Sequence, residues 1–382
     1  MSIADTMRTA QSLSEDVAAQ AAPVGDAASL HAALREANIT VPQLLRARAA
    51  LHGDKLALRE KDYGIWNPYS WSHYYESARA VAFGLMSLGI KPGDRVAIAG
   101  ENTPEWFYAD LGAQMIGAIA VGIYPTNPWP ELQYIVRHSG SRVVVTGDQE
   151  QTDKVLDAMA NGDGLPALEA IVCIDMKGLR NYRQPQLRSF AQLCESGRQY
   201  VREQPEANVA LDRLISQGKP DDTCIFVYTS GTTGPPKGAM LSHRNLLAMT
   251  LSYFADVDQI AADDCILHPA PMSHGSGMYI LPHVAAAAKQ VIPASGGFDP
   301  GEIFDLISVH RGAAFFAAPT MVHRLVDFGG AGAADTGNLK TIVYGGGPMY
   351  VEDCKRAMAL FGNKLAQIYG QGESPMTITT LT

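Results

Sequence analysis

The sequence predicts an α/β fold of layered parallel sheets with flanking helices, and three observations predict it. Short apolar, β-branched runs alternate with segments of helical length through most of the chain, the pattern of strands paired in parallel through crossover helices. The runs of the second half end in clusters of Gly, Pro, Thr, His and Glu, the composition of a ligand mouth at the carboxyl edge of an open sheet. With 382 residues, 47% of them hydrophobic, the chain can bury a large core divided over more than one lobe.

Residues 1–40 read as a mobile leader, Ala-, Ser- and Gln-rich at its start. An amphipathic helix starts at Val41, carrying Leu44, Leu45 and Ala49, and Leu56–Glu60 reads as a short strand. Ser70-Trp71-Ser72 opens a helix with Ala78, Val81, Ala82, Leu85 and Leu88 on its apolar side and Gly89 at its exit. Four strands follow, Arg95–Ala99, Ala118–Gly122, Arg142–Thr146 and Ala170–Asp175. Helices at Pro104–Ile116, Glu131–His138 and Asp153–Met159 separate them. Residues 176–222 are more polar and less periodic and read as a lobe connection. The domains predicted are a first α/β lobe over 41–220 and a second over 221–382.

Net charge is −9, which speaks against nucleic acid as a partner. The five cysteines are scattered without a Cys-x-x-Cys and read as reduced thiols. No run approaches the apolar length of a membrane span, and no signal-peptide pattern opens the chain, so a cytoplasmic protein is expected.

The chemistry concentrates in Tyr228-Thr229-Ser230-Gly231-Thr232-Thr233-Gly234-Pro235-Pro236-Lys237-Gly238. These eleven residues hold three Gly, three Thr, one Ser and one Lys, directly after the apolar strand Cys224-Ile225-Phe226-Val227. Glycines turn backbone N–H groups toward an anion, hydroxyls add donors, and lysine adds a mobile charge, so the stretch reads as a polyphosphate cradle. It is not a Walker loop, because Gly238 rather than Ser or Thr follows Lys237, and no Gly-x-Gly-x-x-Gly opens a first helix.

Four strand exits are expected to converge beside this loop: Pro271-Met272-Ser273-His274-Gly275, Pro319-Thr320, Gly345-Gly346-Gly347-Pro348 and Gly370-Gln371-Gly372-Glu373. By position alone Glu373 fits a ligand of phosphate-bound Mg²⁺ or a solvated loop acid, and His274 fits a site residue or a structural histidine. A Ser-x-x-Lys match at Ser216–Lys219 reads as chance. Neither a His-Glu-x-x-His nor a Gly-x-Ser-x-Gly is present.

The loop, together with the Ala239-Met240-Leu241-Ser242-His243-Arg244-Asn245-Leu246 that follows it, resembles the signature of the adenylate-forming (AMP-binding) superfamily, which includes acyl-CoA synthetases. The first half, from Glu101-Asn102-Thr103-Pro104-Glu105-Trp106 to Tyr124-Pro125-Thr126-Asn127, is similar to long-chain acyl-CoA synthetases. The stretch His274–Tyr279 looks closer to medium-chain or aryl ligases. The resemblance implies that Thr229, Ser230, Gly231, Thr232, Thr233, Gly234 and Lys237 cradle ATP phosphates. It implies that Gly345, Gly346, Gly347 and Pro348 wall the adenine and acyl pockets. Tyr369-Gly370-Gln371-Gly372-Glu373 then packs Tyr369 on adenine and holds Mg²⁺ through Glu373, and His274 gates the carboxylate pocket. Thr229, Lys237, His274 and Glu373 are the catalytic candidates, and Gly345, Gly346, Gly275 and Met376 are expected to line an acyl channel.

Gly372 departs from the pattern, which has a Thr there. No counterpart of the superfamily's ribose-binding element, hinge or small C-terminal domain follows Glu373, so the chain is expected to be the large N-terminal domain without the small one. The implied function is ATP-dependent activation of a fatty or aryl acid to acyl-AMP and transfer to coenzyme A. Two alternatives stay open: a nucleotide- or acyl-binding fragment without turnover, and an acyl-AMP ligase that loads a carrier protein.

Overall fold

The structure is a computed structural model describing residues 27–229, 234–273 and 275–382. Its strands are β1 Leu56–Asp62, β2 Ile65–Ser70, β3 Arg95–Ala99, β4 Ile119–Ile123, β5 Val143–Thr146, β6 Ala170–Cys173, β7 Leu187–Ser189, β8 Thr223–Thr229, β9 Lys237–Ser242, β10 Cys265–Leu267, β11 Lys289–Val291, β12 Ala313–Ala317, β13 Leu339–Tyr344, β14 Leu365–Gln371 and β15 Ser374–Leu381. They form two sheets. One has seven strands in the order β7-β6-β5-β3-β4-β8-β9, the other eight in the order β15-β14-β13-β12-β10-β11-β1-β2. Every pairing is parallel except the edge pairs β8–β9, β1–β2 and β14–β15.

Side-chain alternation builds the layers. Val96 and Ile98 of β3 and Val143 and Val145 of β5 face a core shared with helices Val41–His52, Trp71–Ser87 and Pro104–Met115. Ala97 and Ala99 of β3 and Val144 of β5 point the other way, onto helices Trp129–Ser139 and Gln149–Ala160. In the other sheet, Cys265, Leu267, Phe315 and Ile342 bury helices Pro300–Val309, Pro319–Val326 and Val351–Phe361. Ile266, Val343 and Ile368 on its opposite face meet Met249 and Tyr253 of helix His243–Asp256. Strands buried on both faces need near-continuous apolar runs, and these strands have them.

Helix starts follow their side chains. Thr40 and Gln43 close a capping box on Val41–His52, and Ser70 caps Trp71–Ser87. No helix among the described residues is long and apolar enough to cross a membrane, and all five cysteines are free.

Three expectations are revised. Residues 27–40 are no mobile leader: helix Ala27–Arg35 buries Leu30 and Leu34 in the core, and Ile39 is buried behind them. The rest of that leader lies outside the described residues. The stretch 176–222 carries strand β7 and helices Phe190–Glu203 and Glu206–Gln217. The first of these helices crosses Trp71–Ser87 where Gly197 meets Gly84, so a Cβ on Gly197 would stand 2.6 Å from the Gly84 nitrogen. Phe190, Leu193, Cys194, Tyr200 and Val201 recur at helical spacing on the packed face of this helix, so it was there to be read. The sheets also interleave along the chain, because β1 and β2 join the eight-stranded sheet and β8 and β9 the seven-stranded one. A cut between 220 and 221 therefore does not separate them.

Candidate functional site

The site starts at the β8–β9 hairpin on the edge of the seven-stranded sheet. Thr229 and Lys237 form its last pair, so the loop between them springs from a defined base. Ser230, Gly231, Thr232 and Thr233 lie outside the described residues. Gly234 has φ +94°, a left-handed conformation open to glycine, and both Gly234 and Lys237 are exposed. Helix Trp129–Ser139 props the hairpin from beneath. The Tyr134 hydroxyl donates to the Pro236 carbonyl at 2.9 Å, and His138 Nδ1 lies 2.8 Å from the Tyr228 hydroxyl. The Tyr134 and His138 rings stack at 5.3 Å, as their i, i+4 spacing allows. Burial pushes the Tyr228 phenol up to about 12, so it keeps its proton.

The opposing wall comes from the eight-stranded sheet. The chain turns at Gly372 and Glu373, between β14 and β15, and this tip reaches the hairpin base. There the Thr229 hydroxyl donates toward Glu373 Oε1 at 3.4 Å, across 144 residues of sequence. Gly372 fits this approach because it has no side chain: an added Cβ would overlap Thr229 Cγ2 and stand 3.2 Å from Val227 Cγ1. Gly370 is packed in the same way, with a Cβ position 2.7 Å from the Met376 nitrogen, and Gly345 likewise, 2.6 Å from the Ile368 carbonyl oxygen. Gly346 has φ +80° and open space where a Cβ would sit, and Gly347 and Pro348 continue this exit after β13. Tyr369 stands 54% exposed, its hydroxyl accepting from Gln371 Nε2 at 2.9 Å, so a ring face is free at the mouth.

His274 lies outside the described residues, but its approach is held tightly. Buried Asn102 donates to the carbonyls of His268 and Ala270 at 2.8 and 2.9 Å and accepts from the Met272 N–H at 2.8 Å. Gly122 brings β4 within 3.2 Å of the Ser273 carbonyl oxygen, measured from its Cβ position. Asn102 was missed as a positioning residue. Its signal is a lone amide beside a strand exit, which spacing alone does not separate from a turn residue.

A cavity of about 80 Å³ opens between helix Pro104–Met115 and the segment after β10, with Ile225 of β8, Met272 and Met278 in its wall. Gly345, Gly346 and Met376 do not line it. Met376 is buried instead against Tyr253 and Ile368. Sequence reasoning also missed Asp110 and Gln114, which face this cavity. The Asp110 carboxyl accepts from Gln114 Nε2 at 2.9 Å, and burial pushes it up to about 6.

Among the described residues, no group of three or more His, Cys, Asp and Glu side chains could hold a metal. Glu373 and Thr229 together offer a carboxylate and a hydroxyl. Hard oxygen donors in that number suit a Mg²⁺ ion that takes its remaining ligands from phosphates and water.

The profile of the AMP-binding enzyme family matches residues 45–382. A long-chain-fatty-acid–CoA ligase of Xenopus laevis is 37% identical over 208 residues, 54% of this chain and 27% of the relative. A human long-chain-fatty-acid–CoA ligase is 34% identical over 241 residues, 62% of this chain and 31% of that protein. The chain thus matches about a third of the length of these curated relatives or less. The crystal structure of the N-terminal domain of FACL13 from Mycobacterium tuberculosis superimposes with a TM-score of 0.73 at 24% identity, covering 87% of this chain and 76% of that one. A Mycobacterium tuberculosis fatty acyl CoA synthetase gives 0.72 at 22% identity, covering 87% and 59%. At these identities the two structures establish the fold.

Proposed function

This chain belongs to the AMP-binding enzyme family, and on that premise we propose that it activates a fatty acid with ATP and passes the acyl group to coenzyme A. One observation carries the assignment to this site: the phosphate-loop base on one sheet and the acidic hairpin tip on the other meet at Thr229 and Glu373. The names of the relatives, long-chain-fatty-acid–CoA ligases, support the substrate class.

In the first step an oxygen of the substrate carboxylate bonds to the α-phosphorus of ATP, and the bond to pyrophosphate breaks. In the second a thiolate bonds to the acyl carbon and AMP leaves. Both partners of the first step are anions, so the protein's part is alignment and charge neutralisation. Lys237 brings its ammonium to the loop base, and the Thr229 hydroxyl faces the phosphates. Tyr369 offers its exposed ring to the adenine, and His274 gates the carboxylate. Gly346 leaves room beside β13 for the nucleotide. Glu373 with Thr229 would hold Mg²⁺, which supplies positive charge against the phosphates.

The test is calorimetric titration of the folded chain with a non-hydrolysable ATP analogue and Mg²⁺, beside an assay of fatty-acid-dependent pyrophosphate release. Binding by the parent, weakened about tenfold or more in Glu373→Ala, is the expected result, since hydrogen bonds to charged groups contribute about 1.5–3 kcal/mol. A folded chain that binds no nucleotide would sink the reading.

A further inference from the structure

Helix Pro104–Met115 is apolar at nearly every buried position, yet Trp106, Asp110 and Gln114 recur four apart and so share one face. All three line the cavity described above, and Tyr74 of helix Trp71–Ser87 lines it beside them. Three polar atoms of this lining are buried without a partner among the described residues: the Tyr74 hydroxyl, Trp106 Nε1 and Gln114 Oε1. Tyr74 is fully buried and Gln114 is 5% exposed. The Asp110 carboxyl has one hydrogen bond among the described residues, from Gln114. Two donors, one amide acceptor and a carboxyl thus surround a space otherwise walled by Val41, Leu45, Leu111, Ile225 and Leu246. Buried polar groups left unmatched are rare in native folds, because each forfeits its hydration.

The cavity's place relative to the reaction centre is defined at two points. Met272, Gly277 and Met278 in its wall flank the strand exit at 273–275. Ile225 lies four residues before Thr229 on β8, which is about 13 Å of strand. An aliphatic acid of that reach, with its carboxylate at the phosphate loop, brings its far end to the polar face, whereas a single-ring aryl acid stops short.

We propose that this cavity seats the far end of the acid and recognises a hydroxyl there, so that the preferred substrates are aliphatic acids of about that reach, hydroxylated at or near the terminal carbon. The inference rests on the acid-activating function proposed above. A hydroxyl suits this mixed lining because it donates one hydrogen bond, to Asp110 or Gln114 Oε1, and accepts from Tyr74, Trp106 or both. A terminal methyl would fill the same space and leave the Tyr74 hydroxyl, Trp106 Nε1 and Gln114 Oε1 without a partner. The volume of about 80 Å³ suits the last few atoms of such a chain, or two to three waters.

Calorimetry on the full chain with non-hydrolysable acyl-adenylate mimics of equal length, one ending in a methyl and one in a hydroxyl, tests this. The hydroxylated mimic is expected to bind at least about tenfold more tightly. That ratio should fall below about twofold in Asp110→Leu and shrink in Tyr74→Phe, which removes one hydroxyl and keeps the ring should the first variant misfold. Equal binding of both mimics by the parent would overturn the inference, leave the acid-activating function standing and assign the polar face to trapped water. Failure of a folded parent to bind either mimic would overturn both.

Discussion

Gly372→Ala is the smallest change that probes the meeting of the two sheets. The added methyl would overlap Thr229 Cγ2 and crowd Val227 Cγ1 at 3.2 Å, so either the Thr229 side chain rotates or the tip carrying Glu373 lifts. Both responses lengthen the Thr229–Glu373 contact, already 3.4 Å. Overpacking in a full core costs about 1–3 kcal/mol, and here the tip is half-exposed and can give way, so about 1–2 kcal/mol is expected. If that strain is relieved on the apo chain by moving the tip, the ligand must restore it, which weakens nucleotide binding about 5- to 30-fold. The assay is titration with the ATP analogue and Mg²⁺, with thermal unfolding as a check on folding. The second arm is decisive. Thr229→Ser removes the overlapping methyl and keeps the hydroxyl, so the double variant should recover most of the loss, as a coupled pair does in a mutant cycle. Wild-type affinity in Gly372→Ala, or a double variant no better than the single one, would refute the steric argument.

Three further outcomes follow from particular contacts. Gly346→Ala meets nothing within 4 Å but forces a side chain to φ +80°, so about 1–2 kcal/mol of stability should be lost in denaturant unfolding without any packing clash. Arg48→Met strips two carbonyls at the end of helix Ile280–Ala285, those of Val284 and Ala285, of the guanidinium that donates to them. The denaturation midpoint should fall at unchanged m, corresponding to a loss of about 2–4 kcal/mol of unfolding free energy. Asp110→Asn should stabilise the fold in a pH-dependent way. Desolvation holds the proton on this half-buried acid up to about 6, against about 4 when unfolded, so its stabilising protonation is complete below pH 4 and lost as pH rises to 6. The variant's advantage should therefore be absent near pH 4 and reach roughly 3 kcal/mol at most above pH 6, and a pH-independent difference would contradict the burial.

What could be read from the residues, and what could not, divides along physical lines. Strands β3, β4, β5 and β6 are almost wholly buried, so their apolar runs announced them within a residue or two. The edge strands β2 and β9 are half-exposed and carry no clean alternation, and β7 and β11 are three residues long, too short for any period. Thr229, Lys237 and Glu373 could be singled out one by one, as the hydroxyl, the cation and the acid that the proposed phosphate site would need. Their union was not, since a contact across 144 residues is decided by how the two sheets pack.

Asp110 and Gln114 make the same point more sharply. Four apart on a helix that is apolar around nearly all of its surface, they have the spacing of an ordinary i, i+4 polar pair. Only the third layer, helix Trp71–Ser87 closing over that face with Tyr74, turns water into protein and converts a commonplace pair into a half-buried acid with unmatched neighbours. The departure at Gly372 resolves by the same logic. A glycine there looked like a lost phosphate donor when the tip was considered alone. With the sheets packed, the side chain it lacks is what lets Thr229 bring its own hydroxyl to the position beside Glu373.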